Sequence, residues 1–453
     1  LPSEGRGLLG PLSGGSRADA ELTDRAFLQA MLDAERALAV ASARAGVVPE
    51  VAAAAIAAAC QADTFDPGDL GRRARGAGNP VVPLVRDLTR AVTEAAGPEA
   101  ARWVHHGATS QDIADTALSL VAFRALHPVL DDLGGAAEAA AGLADRHRAT
   151  VLAGRTLGQQ AVATTFGLKA AGWLVALDEA AAGLARVRRE RLAAQLGGAA
   201  GTLASLGPDG AEVAGWYAAE LRLCEPTLAW HTNRTRVGEL AGALGVAAGA
   251  LGKVALDVTL LAQTEIAEVS EAGEEGRGGS STLPHKRNPV GAVLVTAATR
   301  RVPGLVATLL GSMAQEHERA TGAWHAEWEP QLDLLRLVGG AAARTRELLA
   351  GLEVHPERMR ANLEATGGLL LSERVAGALA DPLGRVAAND LVGRLSRRAA
   401  GSGRPLREVL AADPTVRQHL DEADLDRLLD PEGYLGSAGQ FIDQALAAHR
   451  GGH

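Results

Sequence analysis

Aromatic residues are scarce: Phe, Tyr and Trp together make up 3% of the chain. A core of stacked rings is therefore excluded, and abundant alanine has to fill the interior. Small side chains let helices approach closely, and alanine is the best helix former, so the composition points to packed helices. Cysteine is nearly absent, with only Cys60 and Cys224. That excludes a disulfide framework, and both read as reduced core residues in apolar helical surroundings of a cytosolic protein. Positive charge is in deficit. The formal net charge of −9 argues against nucleic acid as a partner, so an anionic substrate has to be attracted by a few local cations. No His, Cys and carboxylate cluster has ligand spacing, so neither a metal nor an organic cofactor is expected. The first residues lack a basic region followed by an apolar run, so no signal peptide is expected. Charges or glycines are expected to interrupt every apolar run before membrane-spanning length.

Proline is missing from two long stretches, 165–195 and 236–271. Each reads as one long helix, and 36 helical residues extend about 54 Å. With 453 residues and 47% apolar content, the chain is too long for one compact domain. Helices of this length suggest a bundle that continues into an oligomer core. Residues 1–22 read as irregular. Thr23 is placed to cap a helix running to about Gly46, with Leu28, Met31, Leu32 and Leu38 on one face. A second helix is expected near 49–62, another after Pro128 to about His147, and one over 288–313 with a kink at Pro303.

The densest chemistry lies at 278–289, GGSSTLPHKRNP. Glycines at 273, 276, 278 and 279 make a mobile segment, followed by hydroxyls, a rigid Pro284, an ammonium at Lys286 and an amide at Asn288. Such a loop suits closure over an anionic substrate. A plain Gly-Ser linker does not carry a fixed Pro-x-Lys-x-Asn-Pro tail. A second cluster is WVHHGATSQDIADTALSL, 103–120. Thr109 and Ser110 stand where a helix begins, with Asp112 and Asp115 in its first turns. They serve either as an anion site at a helix N-terminus or as ordinary caps. His106 reads as structural. Asn79, before Pro80, reads by itself as a turn residue. Trp324 and Trp328 read as packing residues at a domain junction.

The first cluster resembles the signature loop G-S-S-x-x-P-x-K-x-N-P of the aspartase/fumarase superfamily at every fixed position. The second resembles that superfamily's H-x-G-x-T-S-x-D-x-x-D-T motif. The resemblance covers almost the whole chain. It implies an all-α fold of three domains, 1–103, 104–340 with the signature loop 273–289, and 341–453. It also implies a homotetramer with a central bundle of long helices and active sites shared between three subunits, in the cytoplasm. The superfamily chemistry is anti β-elimination, or its reverse, on a polycarboxylate. By the same resemblance Ser280 is the base, and Lys286 and Asn288 hold the carboxylate whose charge grows in an aci-carboxylate intermediate. Ser281, Thr109, Ser110, His105, Thr156, Gln159, Arg319 and Asn79 fall on substrate-binding positions. A serine base needs its alkoxide stabilised, which a nearby ammonium and loop N–H groups can do.

The stretch GRTLGQQAV departs from the family at Leu157, where amine-expelling members carry His. Leucine neither donates nor accepts a proton. The leaving group is therefore expected to be a stable anion. In AFLQAMLDAE, GATSQD, FGLKAAGW, PHKRNPV and GAWHAEW the chain resembles the 3-carboxy-cis,cis-muconate cycloisomerase branch most. Release of nitrite from a nitrosuccinate is the alternative. Adenylosuccinate and argininosuccinate lyase chemistry ranks lower. An inert structural homologue, as in lens crystallins, would be indicated by loss of Ser280, Lys286 or Asn288, and all three are present.

Overall fold

Thr23 starts the first long helix as its position suggests. Its hydroxyl accepts from Ala26 N at 3.1 Å, and the helix runs Asp24–Arg44 with Leu28, Met31, Leu32 and Leu38 buried. This computed structural model describes residues 7–272, 283 and 286–451. Helix accounts for 72% of it and strand for 5%, so the fold class is all-α. Residues 7–22, expected to be irregular, instead form short helical turns, including Arg17–Leu22.

The chain divides into two compact units. The first comprises Leu1–Gly134, Glu179–Gly252 and Leu294–Thr345, and the second Gly135–Asp178, Lys253–Val293 and Arg346–His453. In the first, helix Asp24–Arg44 packs against Glu50–Ala59 and Gly210–Leu221. In the second, a small core of Val375, Leu379, Leu391, Leu395, Leu406 and Leu410 holds the C-terminal helices together.

Five long helices dominate: Ser110–Arg146, Phe166–Glu190, Thr235–Leu261, Val290–Gly311 and Ala323–Ala350. The first passes straight through Pro128. Proline inside a helix costs about 3 kcal/mol. Leu126, Val129 and Leu133 around it are at most 1% exposed, and burying each contributes about 1.5–3 kcal/mol, so the helix persists. The helix expected over 236–271 stops at Leu261. Ala267 turns left-handed (φ 51°), Glu268 N donates back to Leu261 O, and Val269–Glu271 becomes a strand paired with Leu352–Val354.

Three of these helices, Ser110–Arg146, Thr235–Leu261 and Val290–Gly311, are long and apolar enough to cross a membrane by length and composition alone. Charges do interrupt these helices as expected, at Arg124, Lys253 and Arg300 among others, but too sparsely to bring their mean hydropathy below that of a membrane-crossing length. In the single chain their apolar windows are 72%, 50% and 22% buried. The last two leave Val246, Leu256, Leu260, Val293 and Leu310 exposed. Cys60 is buried as expected, and burial pushes its thiol far up. Cys224 is only half-buried and lies outside any helix, bridged to Ala193.

Candidate active site

Helix Ser110–Arg146 begins in an unusual way. Thr109 N donates to Asp112 Oδ2 at 2.9 Å, so a carboxylate three residues on closes the helix start. Among the described residues neither the Thr109 nor the Ser110 hydroxyl makes a hydrogen bond. Both side chains are half-buried. The hydroxyls are thus not spent on capping, and two free donors stand at the positive end of a 37-residue helix.

Asp112 does more than cap. It is fully buried, and its oxygens also accept from Gly197 N (3.0 Å), Gly198 N (2.9 Å) and His231 Nε2 (2.6 Å). The 197–198 backbone can come this close only as glycine. Gly198 has φ 66°, and a Cβ on it would lie 2.9 Å from Gly107 O. Gly107 has φ 81°, and a Cβ there would strike Leu206 at 2.5 Å.

One turn further on, Asp115 anchors a larger network. It accepts from Gln111 Nε2 (3.1 Å), Trp324 Nε1 (2.9 Å) and both terminal nitrogens of Arg234 (2.8 and 3.1 Å). The guanidinium of Arg234, 1% exposed, also meets Glu327 at 2.5–3.1 Å. Burial pushes the Glu327 carboxyl up, against the pull of Arg234. Trp324, expected to pack, does so and donates a hydrogen bond as well; its ring meets Trp328 edge-on.

Arg319 lies beside the same helix start. It donates to Gln111 Oε1 at 3.1 Å, Gly198 O at 3.3 Å and Ala199 O at 2.7 Å. His105 Nδ1 is 2.6 Å from Glu35 Oε1. Asn79 acts as a turn residue: its Oδ1 accepts from Val81 N (3.1 Å) and Val82 N (3.3 Å) at the start of helix Val81–Ala96. The first unit therefore gathers His105, Thr109, Ser110 and Arg319 around one helix N-terminus.

The second unit holds the other motif residues. Strands Val151–Thr156 and Gln159–Thr165 form an antiparallel hairpin that helical pattern reading missed. Leu157 (φ 51°) and Gly158 (φ 78°) make its two-residue turn. Positive φ at both positions is the turn that matches strand twist, usually built by Asn-Gly. Thr156, Leu157 and Gln159 are all exposed at the tip. The stem is fixed by Arg155, whose two terminal nitrogens grip the buried Glu268 carboxylate at 2.9 and 2.7 Å. Asn362 Nδ2 also donates to Glu268, at 2.9 Å.

Glu271 accepts from Gly291 N (3.0 Å) and Ala292 N (2.9 Å), in the first turn of helix Val290–Gly311. Lys286 is exposed and Asn288 half-buried just before that helix. Ser280 and Ser281 lie outside the described residues, as does most of the 273–287 segment. No group of three or more His, Cys, Asp or Glu among the described residues has metal-site geometry.

A family model described as "Lyase" matches residues 16–304, and one described as "Adenylosuccinate lyase C-terminus" matches 368–445. A 3-carboxy-cis,cis-muconate cycloisomerase from Pseudomonas aeruginosa is 50% identical over 430 residues, covering 95% of this chain and 94% of that protein. The chain belongs to the aspartase/fumarase superfamily of lyases. A nitrosuccinate lyase from Streptomyces davaonensis is as similar, 49% identical over 452 residues, covering 97% of this chain and 94% of that protein. The crystal structure of the 3-carboxy-cis,cis-muconate lactonizing enzyme from Pseudomonas putida superposes with a TM-score of 0.93 at 44% identity, covering 99% of this chain and 100% of that one. This member of the superfamily is an enzyme, of the cycloisomerase and lyase branch.

Asp112 and Asp115 were read from the sequence as acids in the first turns of their helix, but not as the centre of a buried network; other residues of the site were not singled out. Glu35 sits on the apolar stripe of its helix, four residues after Met31 and seven after Leu28, where an acid needs a reason. Arg234, Glu327 and Glu268 carried no local signal.

Proposed function

We propose that this enzyme opens or closes the lactone of a carboxymuconate, acting as a 3-carboxy-cis,cis-muconate cycloisomerase. The whole-chain likeness to cycloisomerases supports this substrate, and Leu157 supports the kind of leaving group. It stands between the exposed motif residues Thr156 and Gln159 and offers a ligand only hydrocarbon. A leaving carboxylate is a stable anion and needs no proton from that position. Ser280 removes the proton alpha to a carboxylate. Lys286 and Asn288 hold that carboxylate as it becomes the doubly charged aci-form, and the free hydroxyls of Thr109 and Ser110 hold a second one. The ring C–O bond then breaks, and its electron pair leaves with the substrate's own carboxylate. Arg319, His105 and Ser281 complete the substrate contacts.

Release of nitrite from nitrosuccinate, giving fumarate, is the second reading, supported by the 49% identity to a nitrosuccinate lyase. It uses the same base and clamp. Incubating the protein separately with 3-carboxy-cis,cis-muconate and with nitrosuccinate separates the two: loss of the muconate ultraviolet band supports the first, and fumarate with stoichiometric nitrite the second. Turnover of an amine-bearing succinyl compound in preference to both would overturn the stable-anion argument.

The same reading includes a homotetramer. The exposed apolar faces of Thr235–Leu261 and Val290–Gly311 suit a shared helix core, and the separation of the motifs along the chain suits sites completed by three subunits. It also keeps the three-domain division at 1–103, 104–340 and 341–453, in line with family models that end at 304 and begin at 368. No cofactor and a cytoplasmic location are part of it.

A further inference from the structure

Glu35 lies where an acid is costly. It sits among Met31, Leu32, Ala34 and Leu38 on the buried face of helix Asp24–Arg44, and its side chain has no exposure. One oxygen, Oε1, meets His105 Nδ1 at 2.6 Å. The other, Oε2, has no hydrogen-bond partner among the described residues. A buried carboxylate with a single partner stays ionised only if that partner supplies a proton and preferably a charge.

We propose that Glu35 is a positioning residue that holds His105 as an imidazolium, so that the His105 Nε2–H can donate to a substrate carboxylate beside Thr109 and Ser110. This rests on the reading of the 105–110 corner as a carboxylate site. The geometry makes the protonation state decisive. Glu35 fixes the proton on Nδ1. Nε2 then carries either a lone pair, in the neutral ring, or an N–H, in the cation. A lone pair repels a carboxylate and an N–H attracts it. Nε2 makes no hydrogen bond among the described residues, and the side chain keeps 19% exposure. His105 is held in place by an unusual backbone as well, with φ 60°.

The surroundings favour the cation. Asp112 faces the pair from helix Ser110–Arg146, Tyr217 from Gly210–Leu221 and Cys60 from the end of Glu50–Ala59. Burial pushes the Tyr217 phenol and the Cys60 thiol up, so both stay neutral. On the same helix as Glu35, Asp33 is paired with Arg124, and Arg36 with Glu220. Burial pushes the imidazole of His105 down, but the Glu35 carboxylate, with a smaller contribution from Asp112, outweighs it and raises the value above 6.5.

The test measures binding of tricarballylate, an unreactive tricarboxylate, between about pH 6 and about pH 9, spanning the ordinary histidine range. The variants are Glu35→Gln, Glu35→Asp and His105→Gln. In the wild type, affinity should fall as pH passes the raised His105 value. Glu35→Gln should move that fall to lower pH and weaken binding near neutrality about tenfold, the worth of one hydrogen bond to a charged group. Glu35→Asp should restore part of it, and His105→Gln should remove the pH step. With the true substrate, Glu35→Gln should raise KM while kcat changes little. Wild-type protein that does not bind tricarballylate would remove the carboxylate-corner reading and the proposal with it. Normal wild-type binding with an unshifted profile in Glu35→Gln would overturn the role of Glu35 alone. So would a collapse of kcat at unchanged KM.

Discussion

Replacing Arg234 with Met tests the network beneath the helix start. Arg234 makes five hydrogen bonds, three to Glu327 and two to Asp115, at 2.5–3.1 Å. Its side chain is 1% exposed and both carboxylates are fully buried. Methionine fills a similar volume but leaves two like charges facing each other without water. Breaking a buried pair by removing one partner costs about 3–5 kcal/mol. Asp115 keeps hydrogen bonds from Gln111 and Trp324, and Glu327 keeps one from Gln315 at 2.9 Å, so the lower half of that range is expected. The sign with pH follows. Burial already raises the Glu327 carboxyl, and without Arg234 its folded value rises further above the unfolded one. A group with a raised folded value stabilises below its unfolded value and loses that contribution as pH rises. The deficit of Arg234→Met should therefore be full at neutral pH and shrink below about pH 5, as the carboxyls take up protons. Urea unfolding at fixed protomer concentration, at neutral and acid pH, measures both quantities. Arg234→Lys, which keeps the charge and loses the fork, should fall between. A loss under about 1 kcal/mol, or one that does not depend on pH, would refute the reasoning.

Ser280→Ala should lower turnover about a hundred- to ten-thousandfold with binding retained, whereas Lys286→Ala should harm both KM and kcat; near-normal turnover of Ser280→Ala would remove the assigned base. Leu157→His should give little gain on the true substrate, and a large rate increase would mean that leaving-group protonation limits the reaction. Val293→Asp with Leu310→Asp, on the exposed face of helix Val290–Gly311, should shift the mass in solution toward the protomer, and a fully active monomer of the wild type would exclude the shared-site tetramer. His449 is buried between Asp178, 3.0 Å from Nδ1, and Glu138, 3.1 Å from Nε2. Burial lowers its pKa, but the two carboxylates outweigh that and raise it. Its contribution is complete below the unfolded value near 6.5 and lost as pH rises through the folded one, so His449→Gln should lower Tm at pH 6 and much less at pH 9.

What the sequence revealed followed the range of the interactions. Thr23 and the Leu28–Leu38 stripe are local, and they located the first long helix to within two residues of its end at Arg44. The 105–115 motif was legible because six of its positions lie within eleven residues of one helix start. The hairpin at 151–165 was missed because its turn is Leu-Gly rather than Asn-Gly and its alternation is blurred by Gly154 and Ala161. Glu268 was read as helix, since nothing near it reveals Arg155, 113 residues away. Asn79 was left between two roles, and only the backbone amides of Val81 and Val82 showed its part in the turn.

The Asp112–Asp115 network also constrains how this enzyme can be recombined with its relatives. It joins 111–116, 195–198, 230–234 and 315–327 through hydrogen bonds that have no local substitute. A chimera that takes one of these four segments from a parent with different partners would leave a buried charge unmatched, however similar the parents are elsewhere. Crossovers should succeed when all four segments come from one parent. The hairpin of 151–165 lies between two of them in sequence but shares none of these hydrogen bonds, so its tip, Leu157 included, can be exchanged without rebuilding the helix start.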